Sequence, residues 1–130
     1  MVEKAYVDLR GHEAMRAQPG EPMWVLINHI RAEKRNEFEH FLHAILMPAV
    51  AHTYPDIYNK TRVLHPVDQN EDGSYTYIFL MDPLVRDGVY NVREILLGYY
   101  NHDEVEEYMR LWDEALLTPQ IEYDVIQSIW

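Results

Sequence analysis

The chain has 130 residues, 48% of them hydrophobic and 25% charged, with no cysteine and a formal charge of -11. That length suits one domain with a single core. The missing cysteines exclude a disulfide framework, a thiolate zinc site, an iron–sulfur cluster and a cysteine nucleophile, and the acidic balance argues against nucleic acid and anionic membranes, which need a basic surface.

Residues 1–22 read as an N-terminal arm, mixing charges with Gly11, Pro19, Gly20 and Pro22. They contain no apolar run of signal-peptide length, and no segment of the chain is long and apolar enough to span a bilayer, so a cytoplasmic protein is expected. Residues 23–130 form the domain. Met23–Ile30 is rich in Trp, Val and Ile and reads as a strand. Trp24, Leu26, Asn28 and Ile30 share one face and Met23, Val25, Ile27 and His29 the other, so both faces need cover.

Residues 33–52 repeat apolar side chains at three- and four-residue spacing (Phe38, Phe41, Leu42, Ile45, Leu46, Ala49), the signature of an amphipathic helix. Pro48 should kink it or end it. His52 returns to the apolar side and is expected to point inward. Thr61–Val67 and Tyr75–Met81 form a hairpin around the Asp72-Gly73 turn, with Pro66 placing the earlier strand at an edge. Asn91 and Asn101 each precede a Glu by three residues, an Asn-headed capping box. The first opens a short helix stopped at Gly98. The second opens a long helix with Val105, Tyr108, Met109, Trp112, Ala115 and Leu116 on its buried stripe, ended by Pro119. Gln120–Gln127 is a last strand, with Ile121, Tyr123 and Val125 on one face and Glu122 and Asp124 on the other, an alternation that suits an edge strand with one side wet.

The order strand, helix, strand, strand, helix, strand predicts an α+β domain, the ferredoxin-like β-α-β-β-α-β unit with a four-stranded antiparallel sheet. Right-handed crossovers put the first and third strands in the centre. Two helices cover one sheet face, so the other apolar face calls for a second copy of the chain, and a homodimer is expected.

The segment Trp24-Val-Leu-Ile-Asn-His-Ile-Arg-Ala-Glu-Lys-Arg-Asn-Glu-Phe-Glu-His-Phe-Leu42, with the closing strand Glu122-Tyr-Asp-Val-Ile-Gln127, resembles the dimeric α/β-barrel superfamily that includes the antibiotic-biosynthesis-type monooxygenases. The likeness spans roughly residues 23–128. It implies a pocket between sheet and helices, faced by an Asn of the first strand in the cofactor-independent and haem-degrading members. Asn28 stands at that position.

Asn28 is also the informative polar residue in its own right, since it interrupts an apolar face and a buried amide must find partners. The candidate site therefore comprises Asn28 to orient a ligand, His52 to move a proton, and Tyr77, Tyr108 and Trp112 as contacts. Each also has a plain packing role open to it. Glu39, His40 and His43 share a helix face but lack further ligands at a supporting spacing, so a solvated surface describes them. Ser74 and Ser128 are the only serines and no nucleophile elbow or phosphate-binding glycine loop exists, which removes serine hydrolysis and nucleotide chemistry.

The expected function is binding of a small, flat or aromatic molecule with no cofactor, extending to cofactor-independent oxygenation or isomerisation. A non-catalytic protein with a self-filled pocket is the alternative, and a haem-binding or haem-degrading enzyme a third.

Overall fold

In a computed structural model that describes residues 16–129, the first strand, β1, runs Pro22–Ile30. It is flanked by β3 (Tyr75–Met81) on one side and β4 (Ile121–Ile126) on the other, both antiparallel, and β2 (Thr61–Leu64) completes the order β2-β3-β1-β4. This is the ferredoxin-like sheet, with the two most apolar strands in the centre as expected. β2 is shorter than the sequence suggests because Pro66 cannot donate to the ladder.

The first helix, α1, is continuous from Ala32 to Thr53 but changes pitch. A 3-10 turn (Ala32–Lys34) leads into an α segment (Arg35–His40), a π segment (Phe41–Leu46) and a second α segment (Met47–Thr53). Pro48 has no N–H and its ring crowds the carbonyl four residues earlier, so the regular ladder is interrupted there; the wider π turn sits just upstream. A short helix α2 (Pro55–Lys60), which the sequence did not announce, carries the chain into β2.

Helices α3 (Val92–Leu97) and α4 (His102–Ala115) start where their asparagines indicated. Asn101 accepts the Glu104 N–H at 2.9 Å while the Glu104 side chain accepts the Asn101 N–H at 3.2 Å, a complete capping box. Asn91 caps α3 by accepting the Glu94 N–H at 3.0 Å.

All helices lie on one face of the sheet. Phe38, Phe41 and Leu42 of α1, Leu96 of α3 and Val105 and Ala115 of α4 are fully or almost fully buried against Leu26, Ile30, Tyr77 and Phe79. The Trp112 ring lies 5.8–6.4 Å from the rings of Phe41, Phe38 and Phe79, joining both long helices to the sheet.

Among the described residues no helix lies over the other sheet face. It presents Val25 and Ile27 of β1 and Ile78 and Leu80 of β3, flanked by Leu64 and by Ile121, Tyr123 and Val125 of β4. The apolar side chains of β4 thus look away from the helices and are exposed, Tyr123 to 53%. Glu122 and Asp124 lie on the helix side instead, because they pair with Leu26 and Trp24. The alternation expected of this strand is present, with its apolar set on the side away from the helices.

The proposed arm, residues 1–22, lies mostly outside the described residues. Its end is tied down: the Ala17 N–H donates to Asp82 Oδ1 at 2.6 Å, and Asp82 also pairs with Arg62. Among the described residues no helix is long and apolar enough to cross a membrane.

Candidate functional site

Between the sheet and the helices lies a cavity of about 50 Å³. Its floor is Leu26, Val63, Phe79 and Met81, and its roof is Leu42, Leu46 and Val50 of α1, Ile57 of α2 and Ile95 of α3. The π segment contributes to this roof directly, since Leu42 and Leu46 both belong to it. Three residues bring polar atoms to the lining: Thr61, Tyr90 and Gln120. The Thr61 hydroxyl donates to the Ile57 carbonyl at 2.7 Å. The Tyr90 hydroxyl oxygen accepts the Val85 N–H at 2.8 Å, which leaves its own proton to donate, and burial holds its pKa above the usual tyrosine value.

A wider basin of about 390 Å³ lies beside this cavity and shares Tyr90, Val92 and Gln120 with it. Met109, Trp112 and Leu116 of α4 form one wall, and Asn91, Arg93 and Glu122 form the rim. Arg93 is paired with Glu106, whose carboxyl the guanidinium holds below its ordinary range.

Asn28 is completely buried and lines neither space. Its Nδ2 donates to the Tyr77 carbonyl across the β1–β3 pairing at 3.3 Å, and its Oδ1 accepts from Gln120 Nε2 at 2.7 Å. Gln120 reaches this position because the exit of α4 is fastened to the end of β1. The Arg31 N–H donates to the Ala115 carbonyl and the Leu117 N–H to the His29 carbonyl, each at 2.8 Å. The chain then enters β4 one step beyond the last β1–β4 pair, Ile27 with Ile121. A buried Asn on a central strand demanded a partner; which element would supply it was a matter of strand order and register.

The remaining residues singled out from the sequence separate. Trp112 lines the basin while serving the core. Tyr108 packs edge-on to Tyr100 at 4.9 Å, in an aromatic cluster anchored by the Tyr100 hydroxyl donating to the Ile45 carbonyl at 2.7 Å. His52 is exposed and lies 4.8 Å from the Tyr99 ring, so the expectation that it points inward is corrected. The π segment ahead of it takes more residues per turn, so a strict 100° step per residue no longer describes which side it faces.

Tyr77 faces a second polar cluster at the opposite end of the same sheet face. Its hydroxyl donates to Glu39 Oε2, which Arg35 also approaches at 3.4 Å and His65 Nδ1 at 3.8 Å. Burial and the carboxylate push the Tyr77 pKa up to about 12, while the Tyr77 hydroxyl and Arg35 hold Glu39 below the usual carboxylate value. His65 Nε2 meets His43 Nε2 at 3.0 Å. Among the described residues no three His, Asp or Glu side chains converge on a cation position.

The sequence matches no protein-family model and no curated protein. Among solved structures, a chain described as a "putative antibiotic biosynthesis monooxygenase" from Caulobacter crescentus CB15 is similar, with 11% identity and a TM-score of 0.47 over 95% of this chain and 97% of that one.

Proposed function

We propose that this chain is a small-molecule-binding protein that works as a homodimer and takes a flat, largely apolar compound between its sheet and its helices. The observation that carries the reading is the apolar cavity beside a broader basin, with a single amide, Gln120, at the junction. An apolar lining with a few oriented polar groups is the usual character of a ligand site.

The enzymatic form of the reading is cofactor-independent oxygenation or isomerisation of such a compound. It needs a proton acceptor beside the ligand. Among the described residues no histidine lines the cavity or the basin, and the carboxylate of the basin is Glu122 on its rim. Binding is therefore the part of the reading that the lining residues support directly. The residues do not fit a haem: the cavity is far smaller than the macrocycle, and among the described residues no imidazole lines the cavity or the basin.

The small inner volume favours the rival, a pocket filled by the protein's own side chains. A thermal-shift series with flat aromatic compounds separates the two, since ligand binding to the native state raises the melting temperature with concentration. A concentration-dependent rise is expected. No rise across the series overturns the binding reading and leaves the self-filled pocket.

The homodimer rests on the uncovered sheet face. Two such faces packed together bury each other's apolar side chains, and the contact is self-complementary about a two-fold axis.

A further inference from the structure

The orientation of one amide decides what the ligand must bring. The Tyr77 carbonyl belongs to the sheet and can only accept, so the Asn28 group facing it is Nδ2. That fixes Asn28 Oδ1 on the other side, where it also can only accept. The Gln120 group meeting it at 2.7 Å is then Nε2, and Gln120 Oε1 is left over. This oxygen makes no hydrogen bond among the described residues, and Gln120 is only half-buried where it lines both cavity and basin. The polarity at the junction is thus set by a sheet carbonyl two side chains away.

We infer that Gln120 is the specificity-determining residue of the site, selecting flat apolar ligands that carry a hydroxyl or N–H donor, and that Asn28 is a positioning residue that holds its amide in the accepting orientation. This rests on the binding reading above and deepens it. Both rotamers of a free glutamine amide would accept donors and acceptors alike. With Nε2 turned to Asn28, Oε1 is the amide's free acceptor although Nε2 keeps a second N–H, and an ether or carbonyl oxygen placed against Oε1 meets another lone pair.

The test uses the whole chain and two probes differing in one proton, 2-naphthol and 2-methoxynaphthalene, titrated by calorimetry. Wild type should bind the naphthol about tenfold more tightly, the size of one neutral hydrogen bond. Gln120→Leu, at a half-buried position, should bring the ratio close to one. Asn28→Ala should lower the same ratio. A purely structural loss would weaken both probes equally and leave the ratio unchanged, which would overturn the positioning role. If Asn28→Ala does not fold, Gln120→Leu decides alone. Equal binding of the two probes by wild type, or a preference that survives Gln120→Leu, overturns the inference while leaving the site as a binding site. No binding of either probe overturns the reading on which it rests.

Discussion

His43 Nε2 and His65 Nε2 face each other at 3.0 Å, with ring centroids 5.0 Å apart and planes 15° from parallel. Two bare lone pairs or two N–H groups would repel at that distance, so one nitrogen holds the proton that the other accepts. Glu39 stands behind His65, and the second imidazole, His43, has its pKa lowered by burial and by the charge on His65.

A pH dependence follows from this pair. The folded pKa of His43 lies below its ordinary value of 6.5, so the unfolded chain binds more protons and stability falls as pH drops below that value. Melting temperatures measured from about pH 8 to pH 5 should decline in wild type and decline less in His43→Gln. Parallel profiles for the two proteins would count against the assignment. The other groups facing the pair are Glu39, Arg35 and Tyr77; Glu39 titrates below this window and Tyr77 far above it.

The Tyr77 hydroxyl and the Glu39 carboxylate form the inner part of the same cluster. Tyr77→Phe should cost about 1–2 kcal/mol at neutral pH, as expected for a hydrogen bond to a partly exposed carboxylate. Because the folded pKa of Glu39 is depressed, this stabilisation is present above the ordinary carboxylate value and is lost as pH falls through the lower folded value. Urea unfolding should therefore show the full deficit at pH 7 and a shrinking one as pH falls below the ordinary carboxylate value. A deficit that does not change with pH would point to packing of the ring instead.

Gly88 is held by the site's own geometry. A Cβ there would lie 2.8 Å from Tyr90 Cε2, closer than real contacts allow, and 3.0 Å from the Val85 carbonyl oxygen, a tight contact. Gly88→Ala must displace the turn or the Tyr90 ring that lines the cavity, at a cost of about 1–3 kcal/mol. Amide NMR shifts should concentrate around residues 85–92. A variant as stable as wild type with unchanged spectra would refute this placement of Tyr90.

The uncovered sheet face predicts the oligomeric state. Light scattering at micromolar concentration should give twice the 15.5 kDa chain mass, and a charge in the centre of the face, Ile78→Lys, should halve it without unfolding the helices. A wild-type mass of one chain would end the dimer proposal.

Much of the fold was legible because each element declares itself locally. Alternation in Met23–Ile30, the three- and four-residue repeat around Phe38, and the asparagines before α3 and α4 need no knowledge of the rest of the chain. The candidate site was legible only in part. Asn28 stood out as a buried amide, but its role depends on Gln120, which lies 92 positions away and is an ordinary polar residue beside a proline. His52 was misplaced because a periodicity rule assumes constant helical pitch, and the π segment broke that assumption.

Composition, periodicity and capping by themselves determined an acidic α+β domain with a two-sided apolar sheet, because those properties arise from neighbours within a few residues. Tertiary structure alone decided which amide group of Gln120 meets Asn28, which histidines share a proton and which side of β4 faces the helices. Those outcomes depend on strand register and helix pitch, where a shift of one residue exchanges the two faces of a strand.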